Sequence, residues 1–440
     1  MRVVLCGDLL FSSRNLAKRL DPNVVKILQE ADAVFCNAEF STPRQGTPPG
    51  LCMYLTSVPQ DILDEFVDLN IRLISFANNH TTDYGWQGCL GTIEAAEARK
   101  LIACGVGRNL EDARKARFLD TAAGRVGVVT ASSTWADRAV ASMPGADVVA
   151  RPGLAPLRWT HSYVLPDREF EELRRIDGML GTRESMAEVS RVETWEPADE
   201  DHFKFGSAME GYLPIERGET AGVHTCVNEA DEEALLKSIR DASRRSDVVV
   251  ASLHTHEGVN ENWYAPTPPS FVEEFAHKAI DAGADVFVGH GAHYARGVEI
   301  YKGHPIFYNL GSLLMEFEAG ESMISPEMYH TYHLPADARP SDLHGNRAKI
   351  PDGSWNGVYA ERRFSLKYMV VMDIEGEELS YTLIPLDLDM RRENCLERGL
   401  PVIPEEAGQK EIAEFITEMS AKYGTQVVCD GNGGMKLADL

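Results

Sequence analysis

The stretch Phe76-Ala77-Asn78-Asn79-His80-Thr81-Thr82-Asp83-Tyr84-Gly85 decides how this chain reads. Before it, Ile71-Arg72-Leu73-Ile74-Ser75 is a short apolar run with β-branched residues, the pattern of a buried strand. After it, Gly85 to Lys100 reads as a helix. Two amides, an imidazole and a carboxylate therefore crowd the turn that leaves a strand. Open α/β sheets bind ligands at the carboxyl ends of their strands. Asn79 offers a neutral oxygen to a hard cation, and His80 exchanges a proton near neutral pH. Asp83, three residues on, can hold the imidazole in one tautomer. An Asx-type turn uses the same residue types, so the other strand ends decide between the two readings.

Working outward, Arg2 to Cys6 reads as a strand that ends at Gly7-Asp8. Ala33 to Cys36 delivers Asn37 and Glu39. Asp247 to Leu253 ends at His254, with His256 just beyond. Asp285 to Val288 ends at Gly289-His290-Gly291-Ala292-His293. Five strand ends thus supply oxygen and nitrogen donors and no thiolate, a set that suits Mg, Ca, Mn, Fe or Zn. One histidine alone is usually structural, whereas five such ends on one sheet edge point to a metal centre.

Helices fill the intervals. Asp21-Pro22 reads as an N-cap with proline at the first helical position, opening a helix to about Glu30. Further helices are expected over Asp61–Leu69, Glu229–Ser243, Ser270–Ala282 and Gln409–Tyr423, and further strands over Leu101–Cys104 and Val126–Thr130. Leu366 to Leu386 reads as a hairpin. The rhythm predicts one α/β domain over residues 1–400, with a C-terminal helix and tail over 401–440. Two stretches break it. Residues 133–225 are proline-rich with one clear helix, Asp167 to Leu180, and residues 318–363 are irregular. Both read as loop insertions suited to walls around a substrate.

The chain has 440 residues, 44% of them hydrophobic, which is enough for a large core. Its net charge of −25, from 68 acidic and 43 basic residues, argues against nucleic-acid binding. An anionic substrate would need a local cation, and Arg296, three residues past His293, is a candidate, with His256 beside it. No stretch approaches the ~18 apolar residues of a membrane span, and the N-terminus lacks a signal-peptide pattern. The eight cysteines, at 6, 36, 52, 89, 104, 226, 395 and 429, form no CxxC pair. A reducing cytoplasm is the expected compartment.

Gly7-Asp8, Asn37-x-Glu39, Asn78-Asn79-His80-x-x-Asp83-Tyr84-Gly85, Ser252-Leu253-His254, Gly289-His290-x-x-His293 and Tyr308-Asn309-Leu310-Gly311-Ser312 occur in this order. Over about residues 2–315, outside the insertion, they resemble the poly-γ-glutamate capsule protein (CapA) family, a branch of the calcineurin-like metallophosphoesterases. The resemblance implies a central β-sandwich flanked by helices, with metals at the strand ends. It implies Asp8 as a ligand of a first metal, Glu39 as a bridging carboxylate, Asn79 and His254 as ligands of a second, and His293 as the last ligand. His80 takes the place of the family's general acid, with Asp83 beside it.

The chain departs from the calcineurin-like pattern twice. Asp8-Leu9-Leu10 stands where Asp-x-His is usual, and Gly291-Ala292-His293 where His-x-His is usual, with a displaced imidazole at His290. Two imidazoles of a two-metal clamp are therefore missing or moved, and one divalent cation (Ca, Mg or Mn) is expected. Acid/base chemistry at a carbon next to a carboxylate or amide then fits best. His80 with Asp83 would serve one side, and His290 or His293 with Asp8 the other. Soluble members of the family resemble the epimerase that inverts the C-terminal residue of a lasso-peptide precursor. Phosphoester hydrolysis and a soluble role in poly-γ-glutamate metabolism are the alternatives, and a non-enzymatic binding module comes last. The expected partner is a peptide or a small carboxylate or phosphate. Oligomeric state is not legible in the sequence.

Overall fold

Alternation along the strand Arg2–Ser12 sends Val3 and Leu5 to one face and Val4 and Cys6 to the other. All four are fully buried, so this strand is covered on both sides. Its parallel neighbour Ala33–Ala38 does the same, with Ala33 and Phe35 on one face and Val34 and Cys36 on the other. In the computed structural model, which describes residues 1–50, 55–136, 138–320, 322–376 and 378–438, both strands belong to a nine-stranded sheet. Cys52 lies outside the described residues.

That sheet continues through Leu73–Ser75 and Ile102–Cys104 on one side. On the other it runs through the hairpin Leu366–Glu375 and Glu378–Asp387 to the short strands Met435–Leu437 and Val427–Cys429. Ser312–Gly320 pairs with the first strand in parallel. A second, six-stranded sheet runs Val298–Tyr301, His304–Phe307, Val286–His290, Val248–His254, Gly124–Ser132, Arg117–Thr121. Val126, Val128, Val248, Val250, Val286 and Val288 meet Val3, Leu5 and Phe35 in one core, so the two sheets pack face to face. Burying each such side chain stabilises the fold by about 1.5–3 kcal/mol.

Helices cover both outer faces. Pro22–Glu30, Asp64–Asp68 and Gly85–Ala98 lie over the large sheet, against Val4, Cys6, Val34 and Ile74. Glu229–Ser243 and Ser270–Asp281 lie over the smaller one, against Val249, Ala251 and Phe287. The expected helix-flanked sandwich is what forms. Asp21 caps its helix as read, its carboxylate accepting from Asn23 N at 2.8 Å. No helix among the described residues is long and apolar enough to cross a membrane.

Two expectations are corrected. Residues 133–225 are not irregular loops: Trp159–Leu165, His202–Ser207, Gly211–Arg217 and Gly222–Val227 form a four-stranded sheet, and Thr182–Val192 adds a second helix to Asp167–Leu180. Phe170, Phe203 and Ile215 give this sheet a small core of its own. Its strands are half exposed, with only Phe203 and Ile215 buried, so they lack the signal of a buried strand. Residues 318–363 contain the helices Pro326–Thr331 and Pro340–Ala348, packed through Met328, Tyr329 and Leu343. Both are too short for a periodic pattern to stand out.

Candidate metal centre

The strands of both sheets that carry the donors run parallel, so their carboxyl ends reach the same edge. Asp8 is in register with Asn37 and Ser312, and His254 with His290 and Ser132. The crossing is tight. A Cβ on Gly7 would lie 1.8 Å from Gly311 O, the oxygen that accepts from Asp8 N at 3.0 Å. Glycine at position 7 is therefore what lets Asp8 enter the centre.

Asp8 is fully buried. Its Oδ1 accepts from Asn37 Nδ2 at 2.8 Å and its Oδ2 from Gly291 N at 3.0 Å. His290 Nδ1 lies 3.3 Å from Oδ1, and His293 Nδ1 3.5 Å from Oδ2. Burial opposes the charge on Asp8, but these two imidazoles hold its carboxyl well below the usual range. Asn37 Nδ2 also lies 3.3 Å from His254 Nδ1, tying the two sheets together at the site.

Glu39 is different. It is fully buried, and neither carboxylate oxygen has a hydrogen-bond partner. Burial pushes its carboxyl up to about 8. A buried carboxylate without donors is costly unless a cation compensates it. The surrounding donors fit one: His293 Nδ1 at 3.5 Å from Oε2, and His256 Nε2 at 3.6 Å and His254 Nε2 at 4.0 Å from Oε1. Two triads result, Asp8–Glu39–His254 and Glu39–His256–His293, each with donor atoms within 4.8 Å of one another. Glu39 is common to both. Burial lowers His254 well below the ordinary imidazole range and His256 to about 4, which favours the neutral ring that ligation requires. Asn79 Oδ1 sits 3.0 Å from His254 Nε2, beside the first triad.

His80 stands next to this cluster. Its Nδ1 lies 2.8 Å from Asp83 Oδ2, which also accepts from Thr56 N at 2.7 Å. Its Nε2 faces Asn79 Nδ2 at 3.1 Å and Thr56 Oγ1 at 3.4 Å. Burial alone would lower His80, but the Asp83 charge and hydrogen bond outweigh it and raise the imidazole above its ordinary value. His80, His256 and His293 line one cavity of about 310 Å³, whose other walls include Leu10, Phe11, Leu55, Trp263 and Met315.

Three sequence expectations change here. His256, read as a substrate contact, belongs to the second triad. The signal was present, because residues two apart in extended chain point the same way, and His256 already stood among the strand-end donors read from sequence. His290, read as an acid/base group, is fully buried behind Asp8 with its ring centroid 5.8 Å from that of Phe35, and it does not line the cavity. Arg296, read as a substrate cation, is fully buried and turned inward. Its guanidinium donates to Glu257 O at 2.7 Å, His256 O at 3.1 Å and Trp263 O at 3.0 Å. It fixes the loop that carries His256.

One residue escaped sequence reading altogether. Lys367 is buried under the centre, donating from Nζ to His293 O at 2.5 Å and Arg363 O at 3.2 Å. Burial pushes its ammonium well below the usual lysine range. His293 itself has a left-handed backbone, φ 59°, a conformation that costs about 1–3 kcal/mol for a side-chain-bearing residue. A lone lysine at a strand start gives no hint of this contact.

A helix-flanked sandwich with unpartnered carboxylate and imidazole donors at its strand ends defines a protein with a site for a divalent cation. The family model described as bacterial capsule synthesis protein PGA_cap matches residues 2–316, and the chain belongs to that family. All the donors named above fall inside the match. An uncharacterized protein, y4sH, of Sinorhizobium fredii (strain NBRC 101917 / NGR234) is 28% identical over 98% of this chain and 92% of its own. The PGA biosynthesis protein CapA of Bacillus subtilis (strain 168) is 24% identical over 63% of this chain and 52% of its own. The probable polyglutamine synthesis accessory protein Rv0574c of Mycobacterium tuberculosis (strain ATCC 25618 / H37Rv) is 25% identical over 62% of this chain and 54% of its own. The match spans about half the length of these last two relatives. Among solved structures, a phosphatase from Mycoplasma pneumoniae aligns with 88% of this chain and 93% of its own at 10% identity and a TM-score of 0.38.

Proposed function

We propose that this protein is a metal-dependent acid/base enzyme that inverts the α-carbon of the C-terminal residue of a ribosomal precursor peptide of the lasso type. The observation that carries this reading is the cavity. It joins the His80–Asp83 pair to the carboxylate–imidazole cluster, and its remaining walls are mainly apolar. An apolar residue of a peptide suits such walls better than a polyanion does.

Asp8, Glu39 and His254, with Asn79 beside them, or Glu39, His256 and His293, would hold the cation. When bound, a divalent ion supplies positive charge toward a carbonyl oxygen as negative charge develops there. The rest falls to the chain. Asp83 accepts from His80 Nδ1 and leaves Nε2 to take or return the substrate proton. A cation held by Asp8, Glu39 and His254 leaves His256 and His293 in the cavity wall available for the opposite proton transfer. The free cysteines Cys6, Cys36, Cys89 and Cys104 support a reducing cytoplasm as the compartment.

A second reading, phosphoester hydrolysis, is favoured by Glu39 being common to two triads, the arrangement a two-cation clamp would use. A third, a role in poly-γ-glutamate metabolism, rests on the names of the relatives. One experiment separates the first two. The protein is incubated in heavy water with precursor peptides ending in apolar residues, and in parallel with aryl phosphate esters. Deuterium at the C-terminal α-carbon, absent in His80→Ala, is expected. Release of inorganic phosphate with no deuterium uptake would overturn the epimerase reading.

A further inference from the structure

One wall of the cavity at the metal centre has no part in the chemistry above. The helix Pro340–Ala348 contributes Arg347 to it. Arg347 also lines an adjoining cavity of about 430 Å³, and Tyr264 and Val358 are common to both. Its guanidinium lies 5.3 Å from the Tyr332 ring centroid. Among the described residues it has no carboxylate partner. The acid in the same cavity, Glu316, is already held by Ser13 and Arg19. This chain has 68 acidic residues against 43 basic ones. A half-buried arginine with no carboxylate partner among the described residues stands out against that excess.

We propose that Arg347 anchors the substrate, and that the substrate combines an apolar side chain, seated against Leu55, Ile324 and Met328, with an anionic group held by Arg347. A guanidinium fork recognises carboxylate and phosphate alike, through two parallel charge-assisted hydrogen bonds. The Tyr332 ring supports the guanidinium at its face. For the reacting centre this rests on the acid/base reading, in which the anion is the chain-end carboxylate. The binding claim stands on the cavity alone.

Calorimetry tests it with three probes: 3-phenylpropionate, phenyl phosphate and the neutral 3-phenylpropionamide. Each is titrated into metal-free and Mn²⁺-loaded protein, because anions also reach a bound cation and the metal-free arm decides. At least one anion should bind metal-free protein about tenfold or more tightly than the amide does. The tighter of the two identifies carboxylate or phosphate as the group Arg347 takes. Arg347→Met should abolish the preference and Arg347→Lys should retain part of it, with unchanged melting temperature and metal content. An anion preference that survives Arg347→Met in the metal-free protein would overturn the proposal, as would no preference in the unmodified chain. Absent deuterium exchange together with an intact Arg347-dependent preference would sink the acid/base reading and leave the anchor standing.

Discussion

Glu39 Oε1 lies 3.6 Å from His256 Nε2, and neither atom has a hydrogen-bond partner. The separation is too long for a hydrogen bond. It is right for two ligands of one ion, which at about 2.0–2.2 Å from it lie roughly 3–3.6 Å apart. Two buried polar atoms held at this spacing are what a cation site requires.

The first prediction concerns pH and the metal-free protein. Burial raises the Glu39 carboxyl from an ordinary 4.5 to about 8. The folded state therefore binds this proton more tightly than the unfolded chain does. Its contribution to stability is fully present below about pH 4.5 and is lost as pH rises through about 8. Denaturant unfolding of metal-free protein at pH 5 and pH 8 should show that loss, and Glu39→Gln should flatten it. Parallel pH profiles for the two proteins would contradict the burial of an uncompensated carboxyl.

His80→Ala should lower turnover by ~10²–10⁴-fold, the usual contribution of a positioned acid/base group, with metal content unchanged. Asp83→Asn should act in the same direction, because it removes the carboxylate that fixes the Nδ1 proton. If His80→Ala also lost metal, His80 would be a ligand rather than a proton carrier.

Arg296→Met should destabilise the fold rather than weaken substrate binding. Three backbone carbonyls lose their donor, and unsatisfied buried groups cost about 1–3 kcal/mol each. A thermal melt should show a clear drop, with weaker metal binding because one of the carbonyls belongs to His256. An unchanged melt with a selective loss of substrate affinity would restore the role first read from sequence.

Lys367→Met should keep the fold but weaken Mn²⁺ binding by about tenfold or more, because nothing then holds the strained His293 peptide. Calorimetric titration with the metal checks it. An unchanged affinity would reduce Lys367 to a packing residue.

Much of this was legible because the signal was local. The alternation Val3-Val4-Leu5-Cys6 shows a strand buried on both faces, and each donor follows such a run within one to five residues. What sequence could not show was direction. Arg296 lies three residues past His293, but nothing in the spacing says that it turns inward to three carbonyls. His290 and His293 share one loop, yet only His293 reaches the cavity. Lys367 acts from a hairpin strand whose nearness to residue 293 is a fact of tertiary structure alone. The sheet of residues 159–227 was missed because its strands are half exposed, and only two of the four carry a buried apolar residue, Phe203 and Ile215.

The central claim, a cation centre organised on Glu39, is tested most directly by metal content per chain, measured by mass spectrometry on protein purified without added metal. The unmodified chain should carry at least one equivalent of a divalent metal, and Asp8→Ala and Glu39→Ala should each lose most of it. A folded, unmodified chain that neither carries nor takes up metal would contradict the account, and so would full metal occupancy in both variants.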